Sequence, residues 1–425
     1  MPYDHQQPDY WDAEALADEW RRTFEICHSC RLCFNLCPGF GDLFKTIDSH
    51  GDAEVAGLAP EDTDRFVDWC YQCKLCDVKC PYTPPHEWAI DIPGLALRAR
   101  AVQARQRGVS LQDRFLGDPD RIGRMGGMLT PLMNWGNRNP LSRRMMEATL
   151  GVHHLRELPM FSPQSFAAWF AGAPKPSPDL LTNGKAVLFY TCTVNYNYPE
   201  IGRALCNVYW RNKVEVVVAE QRCCGMPALD GGDLEFALKS ARFNIEQLLP
   251  WVEKGYTVVA PGPTCSYMLR KEYPRLLNTD AARAVAEHSR DACEFLMELH
   301  DRGALDTEFA ASPGKVAYHI PCHLRAQNIG YRSFQLLNLT GAEAELIERC
   351  SGMDGTWGMK REHYEDSLKV AGRLFRQIEA CEPDAVATDC NLAALQIKQG
   401  VKTPPQHPLQ IVWQAYAGEA AAEKA

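Results

Sequence analysis

The sequence CHSCRLCFNLCP occupies residues 27–38, and the related sequence CYQCKLCDVKCP occupies residues 70–81. Both have the spacing C-x2-C-x2-C-x3-C-P, which is typical of proteins that hold two 4Fe–4S clusters. Three thiolates of one run surround one cluster, and the fourth ligand is the last cysteine of the other run. The spacing therefore predicts two mixed ligand sets: Cys27, Cys30, Cys33 and Cys80 for one cluster, and Cys70, Cys73, Cys76 and Cys37 for the other.

Zinc knuckles and a metal-free cysteine-rich loop are the alternatives. Zinc sites combine two spaced pairs of ligands, whereas each run here has three cysteines at intervals of three and a more distant fourth. The pattern favours iron–sulfur clusters. We expect an α+β ferredoxin-type domain, largely helical, over residues 21–92, after an N-terminal extension over residues 1–20.

Composition narrows the class of function. The formal net charge of −9 argues against a nucleic-acid partner, which requires a clustered basic surface. The first twenty residues are acidic and polar and lack the features of a secretory signal. We therefore expect a cytoplasmic protein that can lie peripherally on the cytoplasmic face of the inner membrane. In a reducing compartment, 18 cysteines indicate metal ligands or redox thiols.

Residues 93–183 read as a helical connector and linker. Its first part carries Arg98, Arg100, Arg105 and Arg107, which a solvated helix face would explain, with an acidic partner or anionic lipid as alternatives. The following stretch, residues 125–146, mixes Met, Leu and Trp with Gly and Pro. We expect it to pack between domains, and a surface-seeking amphipathic segment is the alternative.

After the linker, short apolar runs alternate with helical stretches, which is typical of βαβ units and parallel sheets. The order recurs, so the sequence predicts a duplicated α/β region with one domain over residues 184–309 and a second over 310–425. The predicted strands of the two halves are 185–190, 214–220 and 256–262, then 315–320, 344–349 and 385–390.

Cysteines follow the ends of these strands at corresponding places in the two halves. Ligands of open α/β sheets bind beyond the carboxyl ends of the strands, so these thiols predict a cofactor site. The first half supplies Cys192, Cys223, Cys224 and Cys265, and the second supplies Cys322, Cys350 and Cys390. Three other cysteines lie in helical patterns and read as core residues: Cys206, Cys293 and Cys381.

With both parts in view, the chain resembles the family formed by the C subunit of anaerobic glycerol-3-phosphate dehydrogenase. More broadly, it resembles the group with duplicated Cys-Cys-Gly domains that includes the B subunit of heterodisulfide reductase and the iron–sulfur subunit of glycolate oxidase. The motifs that carry the resemblance are the two cysteine runs, CCGMP at 223–227, PTCSYMLRKEYP at 263–274, HIPCH at 319–323, GTWGMKREHY at 355–364 and TDCNLAALQI at 388–397.

The resemblance implies five thiolates in each half, but this chain has fewer. Gly262 replaces one cysteine of the first half, and Ser351 and Ala393 replace two of the second. Four thiolates suffice for a cubane cluster, which predicts a third cluster in the first half. The second half is one ligand short unless His323, Asp389, Ser351 or an external ligand completes it.

These features predict an iron–sulfur electron-transfer subunit, an oxidoreductase component, which relays electrons to or from a partner dehydrogenase, a quinone or a thiol. We expect no flavin or NAD on this chain, because no G-x-G-x-x-G fingerprint follows a strand. A flavin dehydrogenase partner and contact with a quinone or a membrane surface fit this prediction. A heterodisulfide-reductase-like thiol/disulfide enzyme is the main alternative, and a redox sensor or scaffold is the other.

Overall fold

The computed structural model describes residues 3–353 and 355–418. The outermost positions of the predicted N-terminal extension and last domain, 1–2 and 419–425, and position 354 lie outside the described residues. The protein is mostly helical, and its strands form two small parallel sheets.

The N-terminal part of the described chain is built from helices alone, so the expected β component is wrong for residues 3–106. Its helices are α1 (Ala13–Cys30), α2 (Pro38–Ser49), α3 (Pro60–Trp69), α4 (Leu75–Lys79) and α5 (Ile92–Arg107), with 3-10 turns at Pro8–Trp11 and Gly51–Gly57. Aromatic side chains of α1, α2 and α3 fill the core, where Phe66 makes edge-on ring contacts with Trp20, Phe24 and Phe40. The helices thus bury their apolar faces against one another, without the small sheet that an α+β domain would supply.

Helix α5 corrects one expectation about the arginines of the connector. Arg98 is buried and its Nε donates to the carbonyl of Tyr10 at 2.8 Å, while Arg100 donates to the carbonyl of Val67 at 2.9 Å. A solvated basic face is therefore wrong for these two side chains, although Arg105 and Arg107 are exposed. The guanidinium groups are used as multiple donors to backbone carbonyls.

The rest of the connector consists of short helices with proline or a polar N-cap at their starts. They are α6 (Leu111–Leu116), α7 (Pro119–Met128), α8 (Thr130–Arg138), α9 (Pro140–Leu150) and α10 (Phe166–Gly172), followed by a 3-10 turn at Pro178–Leu180. Gly123 and Gly126 let α7 approach Tyr196 and Phe161, where a side chain would collide with the rings. Other side chains of this segment are exposed, so interdomain packing explains only part of it.

Two four-stranded sheets with the same topology confirm the expected parallel sheets of the duplicated α/β region. The strands are β1 (Gly184–Leu188), β2 (Val214–Val218), β3 (Thr257–Ala260), β4 (Ser289–Asp291), β5 (Lys315–His319), β6 (Glu343–Ile347), β7 (Ala385–Thr388) and β8 (Pro405–Gln406). The orders are β2-β1-β3-β4 and β6-β5-β7-β8, with every pair parallel. The sequence pattern missed β4 and β8, because three and two residues are too few for a hydrophobic period.

Helices cover both faces of the sheets and also join the two halves. The first half contains α11 (Cys192–Tyr196), α12 (Pro199–Arg211), α13 (Met226–Asp230), α14 (Leu234–Glu253), α15 (Pro263–Tyr267), a π-helical turn (Met268–Glu272), α16 (Tyr273–Leu277), α17 (Asp280–Glu287) and α18 (Ala292–Asp301). The second contains α19 (Cys322–Arg325), α20 (Arg332–Leu339), 3-10 turns at Trp357–Met359 and Arg361–His363, α21 (Tyr364–Ala380), α22 (Asn391–Gly400) and α23 (Pro408–Ala417). Leu409 and Val412 of α23 share one core with Leu205 of α12, which attaches the second half to the first.

Candidate iron–sulfur centres

The local backbone of the two cysteine runs explains how each wraps around a small volume. Helix α1 ends at Cys30, and Arg31 follows with a left-handed φ of 48°. In the second run, Gln72 and Lys74 have positive φ values of 56° and 63°. These positions turn the chain sharply, so that cysteines three residues apart point inward together. Pro38 begins α2, where its missing N–H removes no helical hydrogen bond.

The structure brings the eight cysteines of the runs together as two groups of four. A hollow beside α1 is lined by the thiols of Cys27, Cys30, Cys33 and Cys80. A second hollow is lined by those of Cys37, Cys70, Cys73 and Cys76. Each group therefore combines three cysteines of one run with the last cysteine of the other, which is the grouping that the spacing predicts.

Burial and the closeness of these thiols to one another also raise their pKa values. Burial, followed by the neighbouring Cys33 and Cys80, raises the pKa of Cys27 to about 12. Burial likewise raises the pKa of Cys37 to about 12, with Cys70 contributing. Several thiolates this close repel one another unless a cation neutralises them, and iron of a cluster supplies that charge. The donor set in both groups fits a 4Fe–4S cluster.

The four cysteines of the first half lie beyond the carboxyl ends of β1, β2 and β3. Cys192 begins α11, Cys223 and Cys224 lie in the loop after β2, and Cys265 lies in α15. Hydrogen bonds from Cys192 and then from Cys224 lower the pKa of Cys223 well below its ordinary value. The pKa of Cys224 is raised by its hydrogen bonds with Cys223 and Cys265. These hydrogen bonds link the four sulfurs in the order Cys192, Cys223, Cys224 and Cys265, and the donor set fits a cubane cluster.

Side chains that the sequence analysis did not single out hold the Cys-Cys loop. The Asn244 side chain accepts from the backbone N–H of Arg222 at 2.8 Å, and Tyr273 donates its hydroxyl proton to the carbonyl of Cys224 at 3.0 Å. Asp120 of α7 accepts from the backbone N–H of Cys223. Burial, and then the nearby Cys223, raises the pKa of Asp120 to about 6. No local motif predicts such contacts, because each joins segments far apart in the chain.

In the second half, Cys322, Cys350 and Cys390 line one hollow at the carboxyl end of the second sheet. His323, the predicted additional ligand, also lines this hollow, but both of its ring nitrogens contact other segments of the chain. Its Nε2 lies 2.8 Å from the carbonyl of Gln72 and its Nδ1 lies 2.9 Å from Thr264 Oγ1. Because a carbonyl oxygen only accepts, Nε2 carries a proton and donates it to the Gln72 carbonyl. Both nitrogens are engaged in these hydrogen bonds.

The other candidates for completing the second half are also engaged elsewhere. Asp389 is buried and accepts hydrogen bonds from Tyr318 at 2.7 Å and from Ser333 at 2.6 Å. Ser351 Oγ lies 3.4 Å from the carbonyl of Met353. The second hollow is lined by the three thiols together with Ser351, His319 and His323, and the ring nitrogens of both histidines lie within hydrogen-bond distance of other groups.

An apolar cavity of about 260 Å³ connects the two halves beneath the connector. One wall is formed by connector side chains such as Met133, Met146 and Phe161. The lining also includes Cys192, Cys223, Cys224 and Cys265, together with Cys390 of the second half. The cavity is therefore lined by the four thiols of the first half and by one of the three thiols of the second half.

Comparisons with known proteins agree with the division of the cysteines between a ferredoxin-like part and two cysteine-rich parts. Residues 20–106 match the family described as the citrate utilization protein B Fer4-like domain, and residues 186–270 and 316–398 each match the cysteine-rich domain. The first match continues beyond the predicted limit at residue 92 and includes α5. These matches and the cysteine groups define the class: an iron–sulfur protein with a ferredoxin-like domain and two cysteine-rich domains.

Whole-chain similarity identifies the family more narrowly. The C subunit of anaerobic glycerol-3-phosphate dehydrogenase from Escherichia coli (strain K12) is 30% identical over 403 residues, which cover 93% of this chain and 99% of that protein. The chain belongs to this family. Lactate utilization protein A of Bacillus pumilus is 34% identical over 189 residues, covering 41% of this chain and 75% of its own. The B subunit of fumarate reductase (CoM/CoB) from Methanothermobacter marburgensis is 30% identical over 227 residues, covering 52% and 43%.

Proposed function

We propose that this protein is the electron-transfer subunit of a redox complex. The observation that carries the proposal is the convergence of eight cysteines from two runs into two groups of four thiols. When bound there, 4Fe–4S clusters would accept and release single electrons. Cys27, Cys30, Cys33 and Cys80 would hold one, and Cys37, Cys70, Cys73 and Cys76 the other.

A third cluster is proposed in the first half, held by Cys192, Cys223, Cys224 and Cys265. The second half would offer Cys322, Cys350 and Cys390 to a centre with one position open to Ser351, solvent or an external thiol. The division into a ferredoxin-type domain and two Cys-Cys-Gly domains supports this assignment of the centres to the three parts of the chain. The exact domain limits stay a prediction.

Burial favours electron relay over direct thiol chemistry in the first half. Cys223 and Cys224 are each 2% exposed, and thiol–disulfide exchange needs an accessible attacking thiolate. Electrons, in contrast, cross such protected distances without contact between the reactants. A thiol/disulfide enzyme is therefore the second candidate, with the open position of the second half as its site.

A partner subunit would provide the other half-reaction. The names of the relatives describe subunits of a dehydrogenase and of a reductase, so we propose a dehydrogenase partner that carries its own flavin. The apolar cavity that reaches both candidate centres favours a lipophilic acceptor such as a quinone over a charged thiol.

The connector supports contact with a membrane surface. We call its exposed apolar side chains the connector face, which consists of Met128, Leu129, Leu132, Trp135, Leu141 and Met145. Residues 121–146 contain five arginines, of which Arg143 is buried, and no acidic residue, in a chain whose net charge is −9. No helix in the described ranges is both long and apolar enough to cross a bilayer. Apolar side chains with neighbouring arginines fit an anionic bilayer surface, and we propose that this face lies on it at the cytoplasmic side of the inner membrane.

Iron content and ligand exchange test the relay. The three four-thiolate clusters should contribute about twelve irons per chain, since each contributes four, and the centre proposed in the second half should raise the total above twelve. Cys80→Ser should perturb the cluster of Cys27, Cys30 and Cys33 more than that of its own run, in electron paramagnetic resonance of the reduced protein. Cys206→Ser, which changes a buried helical cysteine, is the matched control and should retain all iron. Loss of signal only from the second run after Cys80→Ser would contradict the exchanged ligand sets.

Vesicle binding tests the connector face. The protein should co-sediment with vesicles of mixed phosphatidylglycerol and phosphatidylcholine, and much less with phosphatidylcholine alone. Leu132→Ser combined with Trp135→Ser should reduce this binding, because both side chains are 59% exposed. Leu180→Ser is the control, since Leu180 is similarly exposed but lies outside the connector face. Vesicle binding that does not depend on lipid charge would refute the membrane assignment. A dimer of the wild-type protein that dissociates in the double variant would also refute it.

A further inference from the structure

The second half contacts the second cysteine run through the motif at residues 355–364. The indole Nε1 of Trp357 donates to the carbonyl of Asp68 at 2.9 Å. Its ring lies against Trp69 and Tyr71, with ring centres 5.9 and 5.0 Å apart. On its other side it stacks on His363 at 4.4 Å. This aromatic cluster therefore fixes the position of Tyr71, whose place in the chain is between Cys70 and Cys73.

Tyr71 reaches from the second cysteine run into the second half. Its hydroxyl oxygen lies 3.6 Å from Cys350 Sγ, and the side chain is buried. A second contact joins the same two parts of the chain, between His323 Nε2 and the carbonyl of Gln72. The group of Cys37, Cys70, Cys73 and Cys76 therefore abuts the second half directly.

We propose that Tyr71 is a positioning residue that donates a hydrogen bond to the Cys350 thiolate and makes the second half the immediate electron-exchange partner of the Cys37–Cys70–Cys73–Cys76 group. This inference rests on the proposed function, because it requires an iron centre at Cys350. A metal-bound thiolate carries no proton, so between these two atoms only the hydroxyl can donate. With the clusters bound, the electron that the centre at the group of four would release is the one that the iron centre ligated by Cys350 would accept. One centre is oxidised by one electron, the other is reduced by one, and Tyr71 keeps its proton.

The hydrogen bond has a measurable consequence for the centre that contains Cys350. Reduction adds negative charge, and a donor to a ligand sulfur stabilises the more negative state. Removing the donor should lower the equilibrium constant for reduction about tenfold, which corresponds to a downward shift of about 59 mV for a one-electron couple. Centres that do not include Cys350 do not receive this hydrogen bond and should keep their potentials.

The test is a potentiometric titration of the whole holoprotein, followed by electron paramagnetic resonance. Cys350→Ser first identifies the signal of the second-half centre by its loss or change. Tyr71→Phe keeps the buried ring and removes only the hydroxyl, and unchanged iron content shows that it folds. Tyr82→Phe is the matched control, because Tyr82 contacts Cys80 of the other group through its backbone N–H, which the substitution leaves in place. We expect Tyr71→Phe to lower the potential of the Cys350-dependent signal and Tyr82→Phe to leave it unchanged.

The ways in which this inference can fail are distinguishable. If Cys350→Ser changes neither iron content nor any signal, the second half holds no iron centre, and both that part of the proposed function and this inference are wrong. If Cys350→Ser removes a signal but Tyr71→Phe leaves its potential unchanged, only the role of Tyr71 is refuted. An equal shift in Tyr82→Phe would also refute it, because the effect would not depend on contact with Cys350.

Discussion

A buried ion pair between Lys74 and Glu272 joins the second cysteine run to the first half. The Lys74 Nζ lies 2.9 Å from Glu272 Oε1, and both side chains are 2% exposed. Lys74 also donates to Gln72 Oε1 at 2.8 Å. Burial by itself would raise the pKa of Glu272, but the charges of Lys74 and Arg275 outweigh it and hold the pKa at about 2. Glu272 is therefore ionised at neutral pH and compensates the buried ammonium group.

Glu272→Gln keeps the size of this side chain and removes its charge. Leaving one member of a buried ion pair without its partner costs about 3–5 kcal/mol. At about 1.4 kcal/mol per factor of ten, local opening of this interface should become more frequent by roughly two to three and a half powers of ten. The backbone amides of residues 268–277, which contain Glu272, should exchange hydrogen faster by that factor. The measurement is anaerobic hydrogen exchange followed by mass spectrometry on iron-replete protein.

Two further variants separate charge from packing. Lys74→Met combined with Glu272→Gln removes both charges, and we expect it to recover much of the lost protection. Asp280→Asn breaks an exposed ion pair with Arg283 in the neighbouring helix and should change exchange only slightly. If Glu272→Gln exchanges at the wild-type rate, or if the double variant is as unprotected as the single one, the buried charge does not stabilise this interface.

Three other outcomes follow from the same structure. The stability difference between wild type and Glu272→Gln should be constant from about pH 8 to about pH 5, because a depressed carboxyl pKa stabilises above the ordinary value of 4.5 and loses its effect only as the pH falls toward about 2; a difference that decays between pH 8 and pH 6 in the exchange measurement would contradict this. Cys224→Ser should remove about four irons per chain, because losing one of four ligands opens a structural site, whereas Cys390→Ser should alter activity more than iron content if the second half acts at the substrate or partner interface, because an already open site has its reactivity changed; equal iron loss in both variants, by elemental analysis, would instead indicate one centre shared between the halves. Iron chelation should expose residues 21–92 to hydrogen exchange before the two sheets, since a small metal-dependent domain loses its stabilising ligand; a protected segment in the iron-free protein would be the contrary result.

Much of the candidate chemistry could be predicted from the sequence, because short-range spacing controls it. Cysteines three residues apart can meet only through tight turns, so the spacing of each run already dictates the local ligand arrangement. The groups of thiols that this spacing predicts are the groups that the structure brings together. Repetition of strand, cysteine and helix likewise predicted two parallel sheets, since crossover connections force parallel strands.

Other features depend on which distant segments pack together, and no local period encodes them. Arg98 lies in a stretch whose composition indicates a solvated helix face. It is nevertheless buried, because the N-terminal turn supplies carbonyl acceptors for its guanidinium group. His323 follows Cys322 in the sequence, but its ring nitrogens contact Thr264 and Gln72 in other segments of the chain.

The contact between Tyr71 and Cys350 joins positions 279 residues apart. Sequence by itself determined which residues can ligate iron, because that property belongs to side-chain chemistry and short spacing. Only the tertiary structure decided which candidate centres are neighbours, because that depends on which surfaces of the domains pack against one another.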